Sequence, residues 1–199
     1  MGKVKEFLEV IVMKKFKQIV LTLALLAMAL PVYVMAAAHS DFGCKSCHAP
    51  HHAEILPGVP LWNGSETTKT FTLYSSTTLN ATVGQPDGPS KLCLSCHDGS
   101  FALIAGSSMD FGSNLSTSHP ISFIYNAALA TTDGGLKNPS AASTLGGTIA
   151  QDLLDSVSKV QCTSCHDVHT SGVGDHYLRG YDWFDGFGGG DLCRMCHLK

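Results

Sequence analysis

The chain lacks an excess of basic residues, and beyond its first 38 positions it lacks long apolar runs. Its 13 Lys and Arg face 16 Asp and Glu, and five of the Lys lie in residues 1–38 together with two of the Glu. Residues 39–199 are left with eight basic and 14 acidic side chains, a formal charge of −6. This charge argues against a nucleic-acid partner and against docking through a basic patch. Without about 20 consecutive apolar residues, we expect no membrane span there.

Residues 1–38 have the pattern of a secretory signal peptide. A basic segment at 13–17 precedes an apolar run at 19–30, and small residues at 36–38 offer a cleavage site. The apolar run is shorter than the roughly 20 residues of a membrane helix. The acidic residues before Met13 suit such a leader poorly, so we expect Met13 to be the true start. The sequence therefore predicts an exported mature protein.

No cysteine is left over from one repeated motif, Cys-x-x-Cys-His, which occurs four times and uses all eight cysteines. The motifs comprise Cys44, Cys47 and His48; Cys93, Cys96 and His97; Cys162, Cys165 and His166; and Cys193, Cys196 and His197. This spacing is the attachment site of c-type haem. The two thiols add across the two vinyl groups of the porphyrin, and the next residue brings an imidazole to the iron.

Paired cysteines have two other common uses besides haem attachment. An exported chain with an even number of cysteines could form a disulfide framework, and paired Cys-x-x-Cys could bind zinc. Neither explains why a histidine follows the second cysteine in all four motifs. The sequence therefore predicts four covalently bound haem c groups.

Methionine is scarce after residue 38, where only Met109 and Met195 occur, and Met195 lies inside a motif. Six histidines remain outside the motifs, which is enough to give every iron a second histidine. Bis-histidine haems have lower potentials than Met/His haems. Because both axial positions would be filled, we expect electron transfer rather than catalysis.

The positions of the remaining histidines relative to the motifs indicate which of them are the distal iron ligands. His51 and His169 each lie three residues after a motif histidine, so on a helical turn they project from the same side and should reach an adjacent haem. His119 precedes Pro120, which restricts its backbone, and His39 lies just before the first motif. The predicted distal ligands are His51, His119, His169 and His39, with His52 as a rival of His51 and His176 as a reserve.

The sequence predicts a mostly irregular fold, with a few short helices wrapped around a four-haem core and little or no sheet. So few core residues would leave a domain of this size marginal without the apolar surface of the porphyrins. The clearest helix is predicted at 149–158, where Thr148 and Gln151 form a capping box. Short helical turns are expected at each motif, and short strands at 70–74 and 121–125.

An internal repeat organises the chain. The pattern Cys-x-x-Cys-His-x-x-His occurs at 44–51 and 162–169, and each copy is followed by a plainer motif introduced by Leu, at 92–97 and 192–197. We therefore predict one tetrahaem domain, residues 39–199. It would contain two dihaem units, at about 39–130 and 131–199.

The chain resembles the doubled-CxxCH multihaem c-type cytochromes. The resemblance lies in the repeated motifs, in Leu-Cys-Leu-Ser-Cys-His-Asp-Gly-Ser at 92–100 and in Ser-His-Pro-Ile at 118–121. The start of the mature chain and its last motif are similar to the tetrahaem subunits of extracellular cytochrome filaments (nanowires). This resemblance implies a continuous chain of haems. It also implies that a histidine after the first motif ligates a haem of the next subunit, by position His51 or its neighbour His52.

The resulting expectation is an exported tetrahaem cytochrome that relays electrons, as a subunit of an extracellular or cell-surface filament. Its partners would be further copies of itself and other multihaem cytochromes or extracellular acceptors. One alternative is a monomeric periplasmic shuttle that docks to a membrane quinol oxidase. Another is a small multihaem reductase, which is disfavoured because an enzyme needs an open iron position.

Overall fold

The computed structural model describes residues 13–15, 17, 18, 20, 39, 43–56, 59–169, 177–179 and 191–198. The chain divides into two compact units, residues 1–35 and 36–199. The described residues of the first unit are helical. Most of the predicted leader lies outside the described residues. Within them, no helix combines the length and the apolar character needed to cross a bilayer.

Short elements separated by irregular chain build the described part of the second unit. In chain order they are a 3₁₀ turn Cys44–Ser46, β1 Glu54–Leu56, β2 Val59–Trp62, α1 Gly88–His97, β3 Phe123–Ile124, α2 Ala127–Asp133, α3 Ile149–Leu153, β4 Lys159–Val160, α4 Cys162–Cys165 and α5 Asp191–Cys196. The 3₁₀ turn, α1, α4 and α5 carry the four motifs. The prediction of a helical turn at each motif is therefore confirmed.

Two antiparallel strand pairs, β1–β2 and β3–β4, make up the sheet in the described residues. In the second pair Phe123 lies opposite Val160, so the strand predicted at 121–125 exists but is only two residues long. The strand predicted at 70–74 is wrong, because that segment contributes a single bridge, between Thr72 and Asn114. The β1–β2 pair was not predicted.

The helix predicted at 149–158 begins as expected but ends at Leu153. At its start the Thr148 backbone N–H donates to Gln151 Oε1 at 3.0 Å, and the Gln151 N–H donates back to Thr148 Oγ1 at 3.2 Å. Its end is set by Asp155, whose carboxylate accepts the N–H of Val157 at 3.0 Å and of Lys159 at 2.8 Å. An Asp side chain that binds its own following backbone favours a turn over a helix.

Two small apolar clusters stabilise the described part of the second unit. The larger joins α2, α3, α5 and the β3–β4 pair through Phe123, Tyr125, Ala130, Ile149, Leu153, Val160 and Met195. The smaller packs Leu94 of α1 against Phe71 and Leu115. The motif-bearing helices α1 and α5 thus each contribute one residue to these clusters, Leu94 and Met195.

Candidate haem sites

Each motif places its histidine one helical turn after its first cysteine. The backbone N–H of His48 donates to the Cys44 carbonyl at 2.8 Å, and the equivalent bond in the fourth motif, from His197 to Cys193, measures 2.9 Å. In the third motif it is 3.0 Å. This turn brings two sulfur atoms and one imidazole to the same end of a short helix, the arrangement that covalent haem attachment requires.

Zinc and haem iron require different numbers of protein ligands. All eight cysteines are free, and no three His, Cys, Asp or Glu side chains in that part of the chain converge as a metal-binding group. Structural zinc takes four protein ligands. Haem iron takes only one or two, because the porphyrin supplies the other four donors. A haem site therefore needs one or two histidines rather than a cluster of four protein ligands.

Three motif histidines lie opposite a second histidine. The ring-centroid distances are 6.0 Å for His48 and His169, 5.9 Å for His39 and His97, and 6.4 Å for His119 and His197. With each coordinating nitrogen about 2.0 Å from the metal, two imidazoles on opposite sides of one iron have ring centroids roughly 6.3 Å apart. The observed centroid spacings are close to this value, so the separation of the rings in these three pairs is compatible with a shared iron.

Backbone carbonyls fix the tautomer of two of these imidazoles. His97 Nδ1 lies 2.7 Å from the Met109 carbonyl oxygen, and His119 Nδ1 lies 2.9 Å from the Pro120 carbonyl oxygen. A carbonyl can only accept a hydrogen bond, so Nδ1 carries the proton in both rings. Nε2 is then the nitrogen with a free lone pair, and a metal-binding histidine is oriented in this way by its second nitrogen.

Burial favours the neutral, ligand-competent form of two further histidines. The pKa of His39 is lowered from its usual value by burial and by the nearby His97 and His166. The pKa of His197 is lowered by burial and by His119. A neutral imidazole is the form that binds metal, so both rings can act as ligands at pH 7 without first losing a proton.

The other predicted ligands lie elsewhere. His51 and His52 are exposed on the turn after the first motif, and among the described residues neither forms a ring contact with a motif histidine. His176 lies outside the described residues. His166 of the third motif interacts with other groups. Which of His51, His52 and His176 serves its haem stays a prediction, because His39, His119 and His169 are paired with the other three motif histidines.

The pKa values of several motif thiols depend on burial and on cysteines of a neighbouring motif. Hydrogen bonding to Cys93 lowers the pKa of Cys162 to about 7, despite its burial. The pKa of Cys93 is raised by the same hydrogen bond and by burial. Burial raises the pKa of Cys165 to about 11, and Cys162 and Cys193 add to this effect. Cys47, in turn, adds to the raised pKa of Cys96. The pKa of at least one thiol in each of the second and third motifs is therefore shifted by a cysteine of a neighbouring motif.

Two aromatic residues at these sites were missed by sequence reasoning. Phe111 stacks on His97 with ring centroids 5.7 Å apart and is 50% exposed. Tyr177 meets His39 edge-on at 5.2 Å, and its hydroxyl oxygen accepts the His39 backbone N–H at 3.1 Å. Exposed Leu198 directly follows the fourth motif, and exposed Val168 lies two residues after the third. Such apolar surface beside a ligand suits a porphyrin face, but no local sequence pattern distinguishes it from ordinary loop residues.

Comparison with models of known protein families found no match, and comparison with curated proteins found none either. The four motifs and the histidine pairs are therefore the features of this chain that bear on its function.

Proposed function

We propose that this chain is an exported tetrahaem c-type cytochrome that relays electrons and is not an enzyme. The observation that carries the proposal is the set of three histidine pairs, each formed by one motif histidine and one distal histidine at 5.9–6.4 Å. Bound haem would supply iron that gains and loses one electron without making or breaking other bonds.

The chain's own residues have three tasks in such a relay. The cysteines would tether each cofactor covalently, which would prevent its loss. The histidines of each pair would bind the metal and keep small molecules away from it. The exposed apolar residues beside the motifs would shield it from water. Two histidines for one iron would favour a relay over the reductase alternative, because a substrate would find no vacant coordination site.

The electron balance is simple. One electron enters from a reduced partner, which is another multihaem cytochrome or a membrane quinol oxidase, and that partner is oxidised. One electron leaves to an oxidised acceptor outside the cell, and no atoms are exchanged with the chain. Because the mature chain is acidic, we expect these contacts to be made without a basic docking patch.

We further propose that the protein acts as a filament subunit at the cell surface or in the extracellular space. The supporting observation is the exposure of His51 and His52, which lie three and four residues after the first motif. Either could reach the haem of a neighbouring copy. A head-to-tail contact that repeats without closing produces a filament. The periplasmic shuttle is the alternative if the protein is a monomer.

Intact-mass spectrometry and absorption spectroscopy of the purified protein test the cytochrome proposal. We expect a mass increase equal to four haem groups, together with wholly low-spin ferric spectra and no appreciable binding of carbon monoxide by the reduced protein. Fewer than four haems, from cells with competent attachment machinery, would overturn the assignment of the motifs. One stoichiometric high-spin haem that binds carbon monoxide would favour the reductase instead.

A further inference from the structure

A buried polar joint connects helix α1, which carries the second motif, to helix α4, which carries the third. Ser90 is fully buried and Gln161 is 1% exposed. The Ser90 hydroxyl donates to Gln161 Oε1 at 2.5 Å and accepts the backbone N–H of Cys162 at 2.9 Å. One hydroxyl on α1 therefore binds both residues at the start of α4.

Gln161 is held by hydrogen bonds at every polar atom of its side chain. Its Nε2 donates to Asp155 Oδ2 at 2.8 Å and to Asp87 Oδ1 at 3.1 Å. Its Oε1 also accepts the Ser122 hydroxyl at 3.0 Å, and its backbone N–H donates to Ser164 Oγ at 2.8 Å. A fully satisfied buried network is rigid and permits one arrangement, because any displacement leaves polar groups unpaired.

Gly88, the first residue of α1, allows the joint to close. Its φ is +47°, a conformation that L side chains rarely adopt, and a Cβ there would lie 3.3 Å from Gln161 Nε2. A side chain at this position would be strained and would press on the amide. The contact between α1 and Gln161 therefore depends on the backbone conformation of Gly88 as well as on the hydrogen-bonding side chains.

The joint lies next to two cofactor attachment points. Cys93 follows Ser90 by one turn of α1, and Cys162 follows Gln161 directly. The hydrogen bond from the Cys162 backbone N–H to the Ser90 hydroxyl links the first cysteine of the third motif directly to α1, and the pKa values of the Cys93 and Cys162 thiols are shifted by each other. The position of α4 relative to α1 therefore determines how far apart these two sulfur atoms lie.

We propose that Ser90 and Gln161 are positioning residues that hold Cys93 of the second motif and Cys162 of the third motif at a fixed separation, and so set the distance between the two haems that these motifs would carry. The proposal rests on the proposed function. It gives a reason for a buried polar joint at this place: hydrogen bonds are directional, so they fix distance and angle more narrowly than apolar contacts do. Electron tunnelling depends steeply on distance, so a small loosening here would slow the whole relay.

Three variants and one control test this role in the haem-loaded protein. Ser90→Ala and Gln161→Met each remove the Ser90–Gln161 bond, while Ser122→Ala removes a weaker bond to the same amide. Thr148→Ala is the matched control, since it removes a helix cap on α3 and leaves the joint intact. A dissolved ruthenium photosensitiser injects one electron, and transient absorption follows its redistribution among the haems. A stepwise redox titration gives the spread of the midpoint potentials.

We expect Ser90→Ala and Gln161→Met to lose the fastest phase of redistribution and to narrow the spread of potentials, with four low-spin haems retained. Ser122→Ala should slow that phase partly, and Thr148→Ala should match the parent. The proposal is wrong if Ser122→Ala and every variant of Ser90 or Gln161 that folds redistribute electrons as fast as the parent. It is also wrong if Thr148→Ala slows the fastest phase as much as these variants do. Fewer than four haems in the unaltered chain would instead overturn the proposed function, and the positioning role with it.

Discussion

The imidazole rings of His48 and His169 lie with centroids 6.0 Å apart and planes 23° from parallel, although they come from different copies of the internal repeat. His119 and His197 likewise lie opposite each other from the two sides of the predicted boundary near residue 130. If these pairs bind haem as proposed, each of the two predicted dihaem units would supply a histidine to the other. We therefore expect the two halves to fold together rather than separately.

The first prediction concerns His169. Replacement by Ala removes one imidazole opposite His48 and leaves the thiols of the first motif untouched. We expect four attached haems, one of which becomes high-spin, and electron paramagnetic resonance at low temperature measures this directly. Val168→Ala, at the preceding exposed residue, is the control and should stay low-spin. A wholly low-spin His169→Ala protein would mean that another histidine serves this haem, with His176 the first to examine.

The second prediction follows from the angles between paired rings. The planes of His119 and His197 are 82° apart, whereas the other two pairs are 27° and 23° apart. Axial ligand geometry is one of the levers by which a protein tunes a haem, and near-perpendicular planes make ferric low-spin signals strongly anisotropic. We expect one haem with this signal and at least two with the ordinary rhombic signal. The His119→Ala variant should lose the anisotropic signal selectively.

The third prediction concerns pH. Burial opposes a lowered pKa for Asp87, but hydrogen bonds from Lys159 and Gln161 outweigh it and hold the pKa below its usual range. A carboxylate with a depressed folded pKa stabilises the fold above its unfolded pKa of about 3.9, and this contribution is lost as the pH falls through the folded pKa. We expect Asp87→Asn to reduce the free energy of unfolding by about 1 kcal/mol at pH 7, since the side chain is partly exposed.

Urea denaturation of the parent and of Asp87→Asn at pH 7, 5 and 3 measures this effect. The difference between the two proteins should persist at pH 5 and shrink at pH 3. In a Lys159→Met background, Asp87→Asn should cost less, because the two side chains form one ion pair and paired residues are not additive. A difference that is the same at all three pH values would contradict the linkage to Asp87.

Sequence reasoning succeeded where the information was local. The motif turns and the Thr148–Gln151 capping box depend on residues within one helical turn of each other, so spacing alone predicts them. It failed at Asp155, whose turn ends α3 early and leaves Val157 61% exposed, because apolar spacing outweighed the turn-forming Asp in the prediction. The Ser90–Gln161 joint leaves no local signal, since its partners meet only in the folded chain.

The last prediction concerns assembly. His51 and His52 are exposed after the first motif, while His39, His119 and His169 are paired with other motif histidines. A histidine donated to a neighbouring copy would make the contact a coordinate bond, stronger than surface packing alone. We expect the double change His51→Ala, His52→Ala to leave four haems attached but to abolish polymers, with one haem per chain turning high-spin. Electron microscopy measures the loss of polymers, and electron paramagnetic resonance of the same preparation measures the high-spin haem.

His176→Ala is the matched control for that double change, because it removes the remaining candidate ligand without touching the exposed pair. If His51 or His52 is the donor across the contact, His176→Ala should polymerise normally and stay low-spin. If His176→Ala alone produces the high-spin haem, the ligand comes from within the same chain and the inter-subunit bond is wrong. A native protein that stays monomeric at high concentration, with all four haems six-coordinate, would replace the filament with the periplasmic shuttle, because no coordination site would be left for a second copy to fill.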